Sequence, residues 1–263
     1  MSPQRVPRAP QFDAEHARRW QDVDAAESYR YRLPYPPDTF DVLMGLLVDG
    51  PRTVLDLVCG TGEIARVLAQ EVARVDAVDC AAEMVAVGKK RSGGDAENLR
   101  WQVAKAEEVE LDPPYSLVTG GQSLHWMDWE ILMPRLAAAL TPGGMLAVVG
   151  PTEPETPPWD GALKELIRRH STAPGYVLFD MIPAWEEAGL FRKVGNTTSG
   201  PMAFEQPLEE YIAGFHAQST LTRAHIDANR FDAEVRATVS PHCRDGWVQL
   251  FVHSQVLWGR PLG

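Results

Sequence analysis

Short apolar runs punctuate the middle of the chain: TVLDLV (53–58), RVDAVD (74–79), LRWQVA (99–104), YSLVTG (115–120) and MLAVVG (145–150). Helical patterns or linking segments separate them. Strands spaced in this way, joined by right-handed crossovers, form a parallel sheet covered on both faces. The link KAEEVELDPP between the third and fourth runs has room for one helical turn at most. Ahead of the sheet, residues 13–32 read as helical, and PYPPDTF (34–40) breaks the chain and opens a second helix with Asp38 as its cap. Phe40, Leu43, Met44 and Leu47 recur there at i, i+3, i+4 and i+7, which makes one buried stripe.

Beyond residue 150 the pattern loosens, and TEPETPPWDG reads as a loop. IPAWEEAGLFRKVG (182–195) reads as a helix stopped by Gly189 and followed by a sixth strand. Leu208, Tyr211, Ile212 and Phe215 keep helical spacing, and GWVQLFVHSQVLWGR (246–260) is a long β-rich run that closes the sheet. The expected fold is therefore α/β, a doubly wound and mostly parallel sheet of seven strands with N-terminal helices and helical inserts. Its expected parts are a tail and covering helices (1–52), a binding core (53–150), an insert (151–177), a continuation of the core (178–204), a helical insert (205–245) and the final core strand (246–263).

The first strand ends in VLDLVCGTGEIA, a glycine turn that opens onto an amphipathic stretch. As G-x-G-x-x-A, with Asp79 at the end of the second strand, it matches the dinucleotide fingerprint of nicotinamide enzymes. Three features pull away from that reading. Asp56 sits just before the loop, where its carboxylate would repel a pyrophosphate but accept from an amino group. Asp79 lies 23 residues further on, placed to take both hydroxyls of a ribose. LAAALTPGGMLAVVG (136–150) adds a helix, a PGG turn and a strand.

Charge narrows the choice of ligand. The 263 residues carry a net charge of −11, so no basic face is available for a phosphate backbone, and nucleic acid is not an expected partner. The three cysteines, Cys59, Cys80 and Cys243, are scattered without metal-ligand spacing, which argues against a disulfide framework or a metal site and suits a reducing cytoplasm. MSPQRVPRAP lacks the apolar core of a signal peptide, no run of eighteen apolar residues exists to enter a membrane, and the tail is expected to be disordered to about Phe12.

Taken together, the glycine loop with Asp56 and Asp79, the segment GGQSLHWMDW and the LTPGG turn resemble the class I S-adenosylmethionine-dependent methyltransferases. The small-molecule branch that includes trans-aconitate methyltransferase is the most similar. The resemblance covers residues 26–150 well, continues loosely through AWEEAGLFRKV and fades afterwards. It implies a Rossmann-like methyltransferase core, S-adenosylmethionine as cofactor with S-adenosylhomocysteine as product, and a small-molecule acceptor. Oligomeric state is not encoded in any recognisable feature.

The resemblance also implies roles for residues. The loop of Val58, Cys59, Gly60 and Gly62 would let the backbone approach the methionine part of the cofactor, with Asp56 near that amino acid. Asp79 would bind the ribose hydroxyls beside Cys80, Met84 would pack on the adenine, and Ala106 and Glu107 would meet its edge. Gln122 would face the methionine end, and Arg32, with Tyr29, would contact the cofactor's carboxylate; Arg30 is the alternative.

His125 is the candidate general base, since an imidazole has a reference pKa of about 6.5. Tyr35, Trp126, Tyr211 and Phe215 are the candidate acceptor wall, the last two from a lid built by the 205–245 insert. Val58 raises an alternative. Position 58 usually carries glycine in loops of this kind, and valine at positive φ would be strained. A degraded pocket would turn the fold toward a non-methylating role such as cyclisation or rearrangement.

Overall fold

The computed structural model describes residues 14–173 and 180–263; the expected disorder of the first residues, and the end of the 151–177 insert, lie outside them. Ten helices among the described residues are α1 (Ala14–Arg18), α2 (Val23–Ser28), α3 (Pro37–Gly45), α4 (Ala65–Leu68), α5 (Ala82–Lys89), α6 (Trp129–Ala139), α7 (Asp160–His170), α8 (Met181–Glu187), α9 (Leu208–Phe215) and α10 (Ala228–Val239). Seven strands, β1 (Thr53–Leu57), β2 (Arg74–Asp79), β3 (Leu99–Val103), β4 (Tyr115–Gly121), β5 (Leu140–Pro154), β6 (Phe191–Pro207) and β7 (Trp247–Pro261), make one sheet in the order β3-β2-β1-β4-β5-β7-β6. The first five strands pair in parallel, and β7 and β6 close the sheet antiparallel. The sheet is thus mixed, mostly parallel as expected.

The position of β1 explains why its sequence is a continuous run rather than an alternation. Every residue of Thr53–Leu57 is buried, because helices cover both faces. Leu55 and Leu57 join a core with α6 and α8, whose centre includes Trp129, Met133, Leu136 and Trp185. Val54 joins a second core with Leu43 of α3 and Ala65 and Leu68 of α4. A third core lies under α7, α9 and α10, on the part of β6 and β7 that runs past the rest of the sheet. There β7 alternates: Val248, Leu250 and Val252 are buried, while Trp247 and Phe251 are exposed.

Two helix ends test the local reading. Gly189 does end α8, at φ +70°, a conformation that glycine adopts without a Cβ penalty. Asp38, expected to cap α3, does not. Pro36 holds the cap position and Pro37 the first helical one, while the Asp38 carboxylate accepts from the Gly200 backbone N–H at 2.8 Å and ties α3 to β6. The N-terminal stretch is also broken: at Asp22 the chain turns extended, and the Asp22 side chain accepts from the Asp24 N–H at the start of α2.

Candidate active site

β1 delivers the chain to the loop 58–62, in which left-handed residues alternate: Val58 at φ +52°, Gly60 at +57° and Gly62 at +76°. For the two glycines this is free; for a β-branched residue it is strained by about 1–3 kcal/mol. The backbone is held from several sides. Cys59 N–H donates to Val78 O (3.0 Å), Gly62 N–H to Cys59 O (2.8 Å), and Gly60 N–H to the Asp79 carboxylate (2.7 Å). Space enforces the second glycine: a Cβ at Gly62 would clash with the Trp101 ring. Gly62→Ala is expected to lower unfolding free energy by about 2–4 kcal/mol, from overpacking added to the backbone cost. An unchanged urea midpoint would show that the loop does not hold this shape.

The loop forms one wall of a cavity of about 650 Å³. Among its lining residues are Asp56, Val58 and Cys59 from the strand and loop, Gln122 from the end of β4, and Tyr29, Arg32 and Tyr35 from the N-terminal segment. Asp56 is 1% exposed. Its carboxylate accepts from Thr119 Oγ1 (2.7 Å) and Ala65 N–H (3.1 Å), and among the described residues no cation pairs with it. Burial pushes its pKa from 3.8 up to about 7, against the lowering effect of those two donors.

Elsewhere in the lining, Arg32 donates to Tyr29 Oη (2.9 Å) and to Gln122 Oε1 (2.5 Å), and its guanidinium lies over the Tyr29 ring. Arginine can only donate, so the Gln122 oxygen must accept and its Nε2 donates to Tyr35 Oη at 3.4 Å. Tyr35 therefore keeps its own proton to offer. Burial holds that phenol protonated, with a pKa pushed up to about 12.

The remaining candidates lie off this cavity. Asp79 is buried with both oxygens engaged, by Gly60 N–H and by Ala81 N–H at 2.8 Å, and exposed Cys80 follows it. Met84 packs with Ala26 and Ala81 beneath the N-terminal helices, in contact range of Trp20 and Tyr29. Ala106 sits in the core beside α6, and Glu107 accepts from Asp128 N–H at 2.7 Å at the start of that helix. His125 packs against Trp126 with ring centroids 5.2 Å apart, and burial pushes its pKa down to about 4. Tyr211 and Phe215 belong to the core of the insert: the Tyr211 hydroxyl accepts from Trp159 Nε1, and Phe215 meets Phe231 edge to face.

Sequence reasoning missed Thr119, which holds Asp56, and the group Glu63, Arg66 and Arg91 on the outer cavity wall. For the latter a signal existed: Glu63 and Arg66 stand three residues apart on one helical turn, and GKKR ends α5. Cys59 lines the cavity, but burial and the nearby Asp56 and Asp79 carboxylates push its thiol up, so it is no thiolate nucleophile.

Comparison with known proteins finds similarity over part of the chain. Residues 54–144 match the model described as a methyltransferase domain. An uncharacterised methyltransferase of Mycobacterium bovis is 36% identical over 141 residues, covering 53% of this chain and 55% of the relative. A trans-aconitate 2-methyltransferase of Streptomyces avermitilis is 26% identical over 71% of this chain and 76% of its own. The chain spans about half the length of the first curated relatives it matches. Among solved structures, a phosphoethanolamine N-methyltransferase of Haemonchus contortus, in complex with phosphomonomethylethanolamine and S-adenosylhomocysteine, superposes with a TM-score of 0.53 at 18% identity. It covers 94% of this chain and 59% of the other. That likeness speaks for the fold.

Proposed function

We propose, for a chain whose residues 54–144 match a methyltransferase domain, an enzyme of the class I type that moves a methyl group from S-adenosylmethionine to a carboxylate of a small-molecule acceptor. The observation that carries the cofactor reading is that Asp56 and Arg32 line one cavity beside the glycine loop. A buried carboxylate that pairs with no cation among the described residues, sharing a cavity with a guanidinium, is the complement of a zwitterionic amino acid end: ammonium at Asp56, carboxylate at Arg32. The donor set therefore fits the group. Asp79 and the N-terminal cap are the parts that would receive the adenosine, which requires α2 to shift from its packing on Met84.

When bound, the cofactor supplies a sulfonium-activated methyl group for in-line substitution. The protein contributes alignment, which can be worth roughly 7–11 kcal/mol, and a cavity closed by the N-terminal segment. Gln122 and Tyr35 are fixed donors for an acceptor oxygen. Among the described lining groups none is left to take a proton from a hydroxyl: Asp56 is engaged by the ammonium, Tyr35 stays protonated, Glu27 is paired with Arg30, and Glu63 with Arg66 and Arg91. An acceptor that arrives already ionised, a carboxylate, needs no base. The Streptomyces avermitilis relative, a trans-aconitate 2-methyltransferase, supports the same class. Nothing in the comparisons favours the cyclisation or rearrangement reading. The acidic chain and the unpaired Cys59, Cys80 and Cys243 suit work on small molecules in a reducing compartment.

His125 separates the acceptor classes. A general base contributes roughly 10²–10⁴-fold, whereas an ionised acceptor owes His125 nothing beyond packing. His125→Gln is expected to retain kcat within about threefold, measured as labelled methyl ester formed from a panel of carboxylic acids. A loss of a hundredfold, or methylation of hydroxylated compounds that lack a carboxylate, would replace this reading with base-assisted transfer.

A further inference from the structure

We propose that Arg66, Glu63 and Arg91 form a positioning clamp that holds the glycine loop in its cofactor-receiving shape, and that the clamp offsets the strain of Val58. The proposal rests on the cofactor reading above for one of its two readouts only. Its object is Thr61, which stands fully buried between the two left-handed glycines. Arg66 Nε donates to the Thr61 carbonyl at 3.1 Å, and Arg91 Nη1 donates to the Thr61 hydroxyl at 3.0 Å. Thr61 Oγ1 in turn donates to Glu63 Oε1 at 2.7 Å. Glu63 joins the two arginines, with Arg66 at 2.6 Å and Arg91 at 2.5 Å, and Arg66 Nη1 anchors the group to Ser92 O at 2.8 Å. Both polar groups of Thr61 beyond its N–H are thereby fixed from α4 and from the end of α5.

Two features separate this group from ordinary surface ion pairs. The arginine side chains are only 13% and 17% exposed, so they are held rather than solvated. Arg91 Nη2 is also buried without a partner in the structure, an arrangement that stability alone would not favour. Strained backbone persists only where its surroundings over-determine it. At φ +52°, Val58 tends to pull the loop toward negative φ, and the Gly62 N–H to Cys59 O bond passes that pull to the segment the clamp grips. Glycine at position 58 has no such preference, so the clamp should matter less there.

The test is a double-mutant cycle of Arg91→Met with Val58→Gly, read by calorimetric binding of S-adenosylhomocysteine and by the thermal midpoint without ligand. Alone, Arg91→Met is expected to weaken binding about tenfold and lower the midpoint; on Val58→Gly the loss shrinks to about threefold or less, and the midpoint falls at most half as far. Arg91→Lys keeps the charge but shortens the reach to Thr61 and Glu63, both of which Arg91 meets through Nη1, so its losses should fall in the same order; it carries the cycle if the methionine variant fails to fold. Equal losses in both backgrounds, or none in either, overturn the clamp. If the parent protein does not bind S-adenosylhomocysteine, the proposed function fails, while the midpoint cycle still decides the clamp.

Discussion

Asp56→Asn is expected to weaken S-adenosylmethionine binding by at least a hundredfold while making the free protein more stable at pH 8. The first effect follows from losing the only carboxylate placed for the cofactor's ammonium; breaking a buried pair costs about 3–5 kcal/mol. The second follows from linkage. The folded-state pKa of Asp56 is raised from 3.8 to about 7 by burial, so the folded protein binds this proton more tightly than the unfolded chain. The associated stability is fully present below pH 3.8 and is lost as pH rises through 7, leaving a buried charge that costs about 4 kcal/mol above that range.

Asparagine escapes the cost with its contacts intact. Its carbonyl can accept from Ala65 N–H, and its amide can donate to the Thr119 hydroxyl, which rotates to accept. The difference in thermal midpoint between variant and parent should therefore widen from pH 5 to pH 8. A constant difference would show that Asp56 does not titrate between pH 5 and pH 8, and the raised pKa would be overturned.

Arg32→Met is expected to have the second largest effect, a loss of roughly 10- to 150-fold in cofactor affinity, as for one charge-assisted hydrogen bond of about 1.5–3 kcal/mol. Part of the loss is indirect, because Arg32 fixes the direction of the Gln122 amide and so the donor at Tyr35. Arg32→Lys should recover little, since an ammonium cannot reach Tyr29 and Gln122 together. Decarboxylated S-adenosylmethionine isolates the contact. The parent should prefer the intact cofactor by the direct part of the factor that Arg32→Met loses, and the variant should bind both alike. An unchanged preference in the variant would move the carboxylate site away from Arg32.

The central strands were legible because burial on both faces of a parallel sheet demands apolar runs, and β1, β2 and β4 begin where those runs do. The loop glycines were legible as a turn, because an apolar run that ends in glycines marks where a strand stops, and Gly60 and Gly62 do take left-handed conformations after β1. Val58 was legible only as a condition: its residue type says nothing about φ until the neighbouring bonds are known, and the structure sets φ at +52°. Asp38 misled because a local capping preference yielded to a tertiary bond with Gly200. Tyr211 and Phe215 misled for a similar reason. Helical spacing reveals a buried stripe but not what it is buried against, and here it faces α7 and α10 rather than the cavity. The bond from Arg91 to Thr61 joins residues thirty apart in sequence, so no local pattern announces it.

The most direct measurement is calorimetric titration with S-adenosylmethionine at pH 6 in two buffers of different ionisation enthalpy. At that pH an α-amino group is already protonated, so any proton released comes from the protein. If the ammonium pairs with Asp56, binding drives its ionisation: the two buffers should report release of close to one proton, and Asp56→Asn should abolish the difference. Absence of binding, or equal heats in both buffers, would contradict the assignment of this cavity to the cofactor.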